Sequence, residues 1–509
     1  MNTYVGGLLT TFAYFTLNLV AHSAAQKVYN NKNNINEECM KSTPLLKKFT
    51  QASIIASSLL FSQGSYADTI LHAFNWTYDD VATKAQEIAD LGYKKVLVSP
   101  AYKSSGNQWW ARYQPQDFRV IHSPLGDTND FKDMVNALKA KGVETYADIV
   151  FNHMANESSQ RSDLNYPGAA VLATYAADST YYNSIKLFGD LQQGSYGAND
   201  FHPAGCITDW GNPGHVQYWR LCGGNGDVGL PDLDPNNWVV SQQQAYLQAL
   251  KTIGVTGFRV DAAKHMSNYH INAVFNNDIK NGIHVFGEII TSGGAGDNSY
   301  DSFLAPYLND TGHGAYDFPL FASLRGALGF GGSMNQLVDP AAYGQALAAD
   351  KAVTFSITHD IPTNEGFRYQ ILDATDELLA NAYIMGRDGG TPMIYSDHNE
   401  SNDNNRWLDL YKRSDIAGMV KFHNAAQGHG MQVMSFNDCV ILFKRDHIGV
   451  VGINKCDNGQ DVWVNTAEHN LWWNKNYRDV VEGVDVQNIN SQWHKFYLPG
   501  RKARMWLME

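Results

Sequence analysis

The chain has 509 residues, of which 44 % are hydrophobic and 17 % charged, enough apolar residues for one large core and one or two smaller ones. Its formal net charge of -13 disfavours nucleic acid and anionic lipid as partners, because these ligands are bound by clusters of Lys and Arg that the sequence does not contain. A multidomain soluble enzyme with a neutral ligand fits these bounds.

The N-terminal region indicates a processing signal. From Met40, three Lys precede an apolar stretch over 54–61, and small residues follow at positions 65 and 67. This order is typical of a secretory signal peptide over 40–67, with the mature chain beginning at Asp68. We therefore interpret residues 1–39 as a non-native upstream extension.

Secretion is the localisation that this signal predicts, either to the periplasm or out of the cell. The alternative is a membrane anchor over residues 5–20, but that stretch has marginal length and contains Thr and Asn. We expect no membrane association once the signal is removed.

The cysteine count agrees with export. Cys39 precedes the proposed start, which leaves four cysteines that can pair completely. Three connectivities are possible, and proximity in the sequence favours Cys206 with Cys222 and Cys439 with Cys456. Metal binding by these four is disfavoured because they lack paired C-x-x-C spacing.

Short β-type segments alternate with amphipathic helical segments from Thr69 onward, a pattern typical of parallel strands with crossover helices. The helical segments include 79–92, 129–142 and 239–254, and each ends at a Gly suited to a helix C-terminus. Eight such strands predict an α/β fold with a closed (β/α)₈ TIM barrel. The predicted strands are Thr69–Phe74, Lys95–Ser99, Glu144–Phe151, Gly257–Val260, His284–Glu288, Ala315–Phe318, Val353–Thr358 and Met393–Tyr395.

The regular spacing is interrupted after the third strand. A segment rich in Gly, Asn, Asp and Tyr is too long for an ordinary loop, so 154–237 is predicted to be a small inserted domain. The barrel then comprises 68–153 and 238–400. Short β segments over 401–509 predict a C-terminal antiparallel β-sandwich domain.

Polar residues gather where the predicted strands end. The third strand ends in "DIVFNH" (148–153), the fourth in "GFRVDAAKH" (257–265), the fifth in "FGEII" (286–290) and the seventh in "THD" (358–360). In a closed barrel these ends share one rim. Three carboxylates from three strands, beside an Arg and two His, are what a glycosidase needs for a nucleophile and a protonated acid.

These motifs, with "GLPDLD" (229–234) and "GTPMIYSD" (390–397), resemble those of the α-amylases, family 13 of the glycoside hydrolases, in order and spacing over 68–509. The resemblance implies Asp261 as nucleophile, Glu288 as general acid/base and Asp360 as transition-state stabiliser. We expect Arg259 to keep Asp261 ionised, because the two lie on the same face of the strand.

Substrate-binding residues follow from the same resemblance. Tyr113 would stack under the sugar at the cleavage point, while Lys264 and His265 would line the leaving-group side. The full set that the resemblance implies is Tyr113, His153, Arg259, Lys264, His265, His359 and Arg406. Trp109 and Trp110 fit packing under the rim and sugar stacking equally well.

A structural Ca²⁺ is also implied by the resemblance, with Asn152, Asp232 and the backbone carbonyl of His265 as ligands. A further ligand is expected from 154–231. Thr358 stands where many relatives have Asn before the His-Asp pair, so we do not predict chloride activation.

The activity that the resemblance implies is endo-acting hydrolysis of α-1,4-glucosidic bonds, with retention of configuration through a covalent intermediate. The expected partners are starch, glycogen and maltooligosaccharides, and the expected state is a monomer. The alternatives are an exo-acting maltooligosaccharide-forming enzyme, an α-glucan transglycosylase and, more remotely, a non-catalytic glucan-binding barrel, which the three carboxylates disfavour.

Overall fold

The computed structural model describes residues 68–104, 106–224, 226–398, 400–401 and 403–509. The proposed signal peptide over 40–67, the upstream extension over 1–39 and the alternative anchor over 5–20 lie outside the described residues. In the part of the chain that is described, no helix is long and apolar enough to cross a membrane.

A closed barrel of eight parallel strands forms the centre of this region, as predicted. Strand β1 is hydrogen-bonded to both β2 and β8, which closes the ring. All eight predicted strands are present, with ends shifted by up to four residues. They are β1 (Ile70–Ala73), β2 (Lys95–Val98), β3 (Glu144–Val150), β4 (Val255–Asp261), β5 (His284–Gly287), β6 (Gly314–Tyr316), β7 (Ala352–Thr354) and β8 (Thr391–Ser396).

The helices form where the sequence supplies both an apolar face and an end signal. The helix Tyr78–Asp90 buries Val81, Ala85 and Ile88 on one face, and the Thr77 side chain caps its N-terminus. Gly92 follows with φ of 93°, a conformation that favours glycine. The helices are α1 (Tyr78–Asp90), α2 (Thr128–Ala140), α3 (Ala169–Ala177), α4 (Ser179–Ser184), α5 (Pro213–Val216), α6 (Asn237–Ile253), α7 (Asn268–Val274), α8 (Asn277–Lys280), α9 (Ala305–Thr311), α10 (Phe318–Leu328), α11 (Asp360–Thr363), α12 (Ala374–Gly386) and α13 (Ser414–Ala425).

Two further regions have cores of their own. Between β3 and α6, the helices α3 and α4 pack around buried Tyr175, Tyr182 and Ile185. The C-terminal region has a six-stranded sheet in the order β9-β10-β11-β16-β13-β14 and a two-stranded sheet of β12 and β15. Its strands are antiparallel: β9 (Met431–Phe436), β10 (Val440–Arg445), β11 (Gly449–Asn454), β12 (Gln460–Asn465), β13 (Lys475–Asp479), β14 (Val486–Ile489), β15 (Trp493–Leu498) and β16 (Lys502–Met508).

The two C-terminal sheets share one apolar core, to which both Val464 of β12 and Trp506 of β16 belong. An antiparallel C-terminal β region was therefore correctly predicted. The domain boundaries at 153/154, 237/238 and 400/401 stay predictions.

Both disulfides pair as sequence proximity favoured. Cys206 is bonded to Cys222 with an S–S distance of 2.11 Å, and Cys439 to Cys456 with one of 1.97 Å. Each closes a loop of similar length, which restricts the unfolded chain by about 3 kcal/mol in the chain-entropy account.

Candidate active site

A single buried guanidinium organises the rim of the barrel. Arg259 of β4 donates from Nη1 to both carboxylate oxygens of Asp148, at 2.8 and 2.7 Å, and to Oδ1 of Asp261 at 2.8 Å. Its Nη2 lies 2.6 Å from Oε1 of Glu288 and 4.0 Å from Oδ2 of Asp360. Four carboxyl groups therefore surround one cation, and we call these five residues the Arg259 cluster.

The strand register explains how these residues meet. Asp148 of β3 is the direct neighbour of Arg259 of β4 in the parallel ladder, and Val150 is the neighbour of Asp261. Arg259 and Asp261 are two residues apart, so their side chains point to the same face. Glu288 follows the last residue of β5, whose carboxyl end lies at the same rim.

The predicted end of the seventh strand is wrong by several residues. β7 ends at Thr354, and Asp360 is the first residue of the short helix α11. The extra backbone between them carries His359 and Asp360 over the rim, and Asp360 still reaches the Arg259 cluster.

Glu288 has the environment of a carboxylic acid that keeps its proton. Burial and then the neighbouring Asp360 raise the pKa of Glu288 to about 8, although Arg259 opposes the rise. Its Oε2 accepts a hydrogen bond of 3.2 Å from the backbone N–H of Ala262. Ala262 has φ of 47°, an unusual value for a residue with a Cβ, so the chain accepts backbone strain at this site.

The pKa values of two other carboxyl groups in the cluster, those of Asp148 and Asp261, are also raised. Burial raises the pKa of Asp148 to about 6, and it raises that of Asp261 well above its ordinary range, while Arg259 opposes both shifts. One cation cannot neutralise four carboxylates, so a proton must be shared within the cluster. Glu288 is the better holder than Asp148, because its pKa is raised to about 8 and that of Asp148 only to about 6.

Tyr113 and two histidines form an aromatic wall beside the cluster. The Tyr113 hydroxyl donates to Oδ2 of Asp148 at 3.0 Å, and its ring stacks on His359 with centroids 5.0 Å apart. Nε2 of His153 lies 3.0 Å from the Tyr113 carbonyl oxygen. Burial lowers the pKa of His359 well below its ordinary value, so its ring is neutral.

The two tryptophans differ. The Trp109 ring packs edge-on against Tyr113 and His359, whereas 48 % of Trp110 is exposed. Trp109 therefore packs directly against the aromatic wall that Tyr113 and His359 form.

Lys264 and His265 lie beside Glu288 and line the same cavity. Nζ of Lys264 donates to the Ile290 carbonyl at 3.1 Å, and both Lys264 and His265 line a cavity of about 400 Å³ together with Glu288 and Asp360. The leaving-group role that the resemblance implies for these two residues stays a prediction.

Arg406 is not brought to this site. Its Nη2 donates to Oε2 of Glu377 at 2.6 Å and to the Leu372 carbonyl at 2.8 Å, and its guanidinium lies over the Trp407 ring. The substrate-binding role of Arg406 stays a prediction, and in this structure its partly buried guanidinium is paired with Glu377.

Asn152 and Asp232 lie together at the base of the region 154–237. Both are buried, the Leu233 N–H donates to the Asn152 carbonyl at 2.9 Å, and Asp232 Oδ2 is 2.5 Å from Nδ1 of His202. Over the described ranges, no group of three or more His, Cys, Asp or Glu side chains is arranged to hold a metal ion. Any ion here would depend on amide, carboxylate and backbone oxygens.

Sequence reasoning did not single out three of these residues. Asp148 is the first residue of the "DIVFNH" motif, and its place opposite Arg259 depends on the strand register. Nothing in the sequence indicated Ala262 or His202. A positive φ and a contact between distant loops are not visible in a single sequence.

Comparison with known proteins identifies the family. The family model "Alpha amylase, catalytic domain" matches residues 77–300. An α-amylase of Aeromonas hydrophila is 61 % identical over 457 residues, which cover 89 % of this chain and 98 % of that protein. An α-amylase of Thermomonospora curvata is 28 % identical, over 86 % of this chain and 71 % of that protein.

A solved structure agrees in fold. The crystal structure of α-amylase I from Eisenia fetida superposes with a TM-score of 0.67 at 23 % identity, covering 86 % of this chain and 97 % of that one. Together with the identity to the Aeromonas protein, these findings show that this chain belongs to the α-amylase family of glycoside hydrolases.

Proposed function

We propose that this chain is an endo-acting α-amylase that hydrolyses internal α-1,4-glucosidic bonds of starch, glycogen and maltooligosaccharides with retention of configuration. The observation that carries the proposal is the Arg259 cluster, in which Asp261 and Glu288 contact two nitrogens of one guanidinium. Such a bridge supports the separation of about 5 Å between carboxyl groups that retaining glycosidases use.

In the first step, a carboxylate oxygen of Asp261 attacks the anomeric carbon, and the bond from that carbon to the leaving oxygen breaks. Glu288 transfers its proton to the leaving oxygen, for which its raised pKa of about 8 suits it. Arg259 holds Asp261 in position for the attack.

In the second step, water enters on the leaving-group side and Glu288, now ionised, removes a proton from it. The water oxygen bonds to the anomeric carbon, and the bond to Asp261 breaks. Each turnover thus consumes one water molecule and returns Glu288 to its protonated form. Asp360 and His359 would hold hydroxyl groups of the distorted sugar, and Tyr113 would stack against its ring.

Endo action is supported by aromatic residues that pack against the predicted substrate-binding residues. Trp109 packs edge-on against Tyr113 and His359, and Trp210, which is 52 % exposed, packs edge-on against His265. A glucan chain that continues in both directions from the cleaved bond would have these rings to pack on.

A structural Ca²⁺ is part of the proposal, with Asn152, Asp232 and the His265 carbonyl as ligands. The fit depends on Asp232, a buried carboxylate whose Oδ2 is 2.5 Å from Nδ1 of His202 and which has no Lys or Arg in an ion pair with it among the described residues. Oxygen donors of this kind suit Ca²⁺, which would link 154–237 to the barrel rim. Chloride is not part of the proposal.

Secretion is also proposed, supported by the signal-like sequence over 40–67. N-terminal sequencing of protein recovered outside the cytoplasm should begin at Asp68. A start at Met1 or Met40 would exclude cleavage at this position.

The test of the activity is a time course of products from soluble starch for the wild type and Glu288→Gln. We expect rapid loss of iodine colour with mixed short maltooligosaccharides, and at least a hundredfold slower reaction in the variant. A single dominant product would indicate exo action, new long chains would indicate transfer, and binding without any reaction would leave the glucan-binding barrel.

A further inference from the structure

The two-stranded sheet of the C-terminal region has an aromatic outer face. In β12 and β15 the residues alternate between buried and more exposed positions, as expected for strands with one face on a core. Val462, Val464, Phe496 and Leu498 point inward and belong to the C-terminal apolar core. The opposite face of such a strand pair is normally polar, but here it carries two tryptophans and a tyrosine.

These three rings are all more than half exposed. Trp463 is 59 % exposed, Trp493 57 % and Tyr497 52 %. Single apolar residues on a surface are ordinary, whereas three on one small face form a patch of the kind that marks a binding surface. We call Trp463, Trp493 and Tyr497 the C-terminal aromatic face.

The strand register places the three rings next to one another. Trp463 is paired with Lys495 across the ladder, and Trp493 and Tyr497 lie two residues to either side of Lys495. Trp463 is therefore the diagonal neighbour of both other rings, at a spacing of about 7–8 Å, which aromatic side chains can bridge. The face extends about 14 Å along β15, because each residue of a strand advances by about 3.4 Å.

Tyr497 is held in position by the neighbouring backbone. A Cβ on residue 459 would clash with both the hydroxyl oxygen and Cζ of Tyr497, so the tyrosine ring lies directly against Gly459. A larger residue at position 459 would displace the ring. The ring is thus oriented before a ligand arrives, which lowers the entropic cost of binding.

The charged residues of this face neutralise each other. Nζ of Lys495 lies 3.1 Å from Oδ2 of Asp461, and both residues are on the outer face with the rings. Asn465, which is paired with Trp493, adds an uncharged amide. A face with one acidic and one basic residue, in a chain with a formal net charge of -13, disfavours nucleic acid and anionic membranes as ligands.

The exposed area of the face disfavours a second copy of the chain. An aromatic side chain buries about 150–250 Å² when it is fully covered, so three rings with a little over half of their surface exposed present roughly 300–400 Å². A stable protein interface needs about 800 Å² from each partner. A narrow ligand that packs on successive rings fits this area better.

We propose that the C-terminal aromatic face binds a chain of α-linked glucose units and anchors the enzyme to insoluble starch while the barrel cleaves. The apolar faces of pyranose rings pack on Trp and Tyr, and their hydroxyl groups can bond to Asn465 and to the Asp461–Lys495 pair. The identity of the ligand rests on the proposed function, in which the substrate of the barrel is this neutral polymer. No member of the Arg259 cluster lies on β12 or β15, so the two sites can be altered separately.

The binding test replaces Trp463 and Trp493 together with Ala. It is made in Glu288→Gln protein, so that the starch granules are not digested during the measurement. We expect the apparent Kd for the granules to rise at least fivefold. Replacing both residues with Tyr instead should restore most of the binding, because two flat rings are kept.

The activity test makes the same Ala replacements in the active enzyme. On a low concentration of insoluble starch we expect the rate to fall at least fivefold. On maltoheptaose, kcat and KM should stay within twofold of the wild type, because this short substrate needs only the barrel. Circular dichroism should show an unchanged fold, since both side chains point away from the core.

Trp472→Ala is the matched control. Trp472 belongs to the same region and is 47 % exposed, but its ring already stacks on His447, with centroids 4.0 Å apart. We expect this variant to bind granules as tightly as the wild type.

The outcomes separate this proposal from the proposed function. An unchanged Kd in the double Ala variant, an equal loss in Trp472→Ala or equal losses on granules and on maltoheptaose would refute the binding role. Equally tight binding to cellulose, whose glucose units are β-linked, would refute the α-glucan as ligand, and loss of a wild-type dimer in the double variant would assign the face to self-association. A wild type that binds granules but cleaves neither substrate would refute the proposed function and leave the face as a glucan-binding surface.

Discussion

Arg259 holds Asp148 through both carboxylate oxygens, with Nη1 2.8 Å from Oδ1 and 2.7 Å from Oδ2, and both side chains are completely buried. The same nitrogen donates to Asp261, and the Tyr113 hydroxyl donates to Asp148. In the proposed mechanism Asp148 is thus a positioning residue, because it holds the cation that contacts Asp261 and Glu288 and the tyrosine beside them.

Replacing Asp148 with Asn should therefore impair both stability and catalysis. We expect the free energy of unfolding to fall by about 3 kcal/mol, because one partner of a buried ion pair is lost. We expect kcat/KM on maltoheptaose to fall by about a hundredfold, since small displacements of reacting groups cost that much. Denaturant unfolding and steady-state kinetics measure the two effects.

Asp117→Asn is the matched control for that variant. Asp117 is also buried and pairs with Arg119 through both oxygens, at 2.9 and 2.8 Å, outside the Arg259 cluster. It should lose stability and keep the wild-type pH profile of kcat. A similar catalytic loss in Asp117→Asn would mean that the effect of Asp148→Asn is destabilisation alone.

The pH dependence of activity should report the proton on Glu288. The first step needs the protonated acid, and the pKa of Glu288 is raised to about 8, so kcat should fall as the pH rises through about 8. Asp360 contributes to this rise, so the residual activity of Asp360→Asn should lose its alkaline limb at lower pH. If the alkaline fall of kcat lies at the same pH in the wild type and in Asp360→Asn, that result would argue against Glu288 as the acid.

The same group links pH to stability. The folded pKa of Glu288 is above its ordinary value of 4.5, so the folded state binds this proton more tightly than the unfolded state. Its contribution is fully present below about pH 4.5 and is lost as the pH rises through about 8. Glu288→Gln should accordingly lose less stability than the wild type between pH 5 and 9 in thermal melts.

Calcium removal should lower thermal stability if Asn152 and Asp232 hold the ion. Ca²⁺ at a hundred times its Kd should stabilise the folded state by about 2.7 kcal/mol, and a chelator should reverse this. Asp232→Asn should weaken the response, and Mg²⁺ should not restore it because it prefers fewer, shorter ligand bonds. Identical melts with and without chelator would contradict the site.

A Glu377 variant tests whether Arg406 binds substrate or only stabilises the fold. Glu377 is buried and accepts hydrogen bonds from Arg406 at 2.6 Å and from the Trp407 indole N–H at 3.0 Å. We expect Glu377→Ala to lower the free energy of unfolding by about 3 kcal/mol while the KM for maltoheptaose stays as in the wild type. A raised KM with unchanged stability would restore a substrate role for Arg406.

Several structural results were already contained in the sequence pattern. The eight barrel strands, the helices α1, α2 and α6 and the two disulfide pairs were predicted, because apolar periodicity, glycine stops and cysteine spacing are local signals. The gathering of Asp261, Glu288 and Asp360 was also predictable, since the carboxyl ends of parallel strands share one rim.

Other results depended on contacts between distant segments. The ion pair of Arg406 with Glu377 was not predicted, because Glu377 lies on α12 and the sequence around Arg406 does not indicate that pair. The end of the seventh strand was misplaced because the alternation of apolar and polar residues continues through Thr358 and does not show where the hydrogen-bonded ladder stops at Thr354.

By itself, then, the sequence determined the barrel, the order of its elements and the residue types at its rim, because periodicity and strand direction are properties of short segments. Only the tertiary structure decided that Asp148 and Arg259 lie opposite each other, that four carboxyl groups surround one cation and that Trp210 lines the cavity beside Glu288. Register, burial and loop docking arise when segments far apart in the chain meet, and the pKa of Glu288 depends on all three.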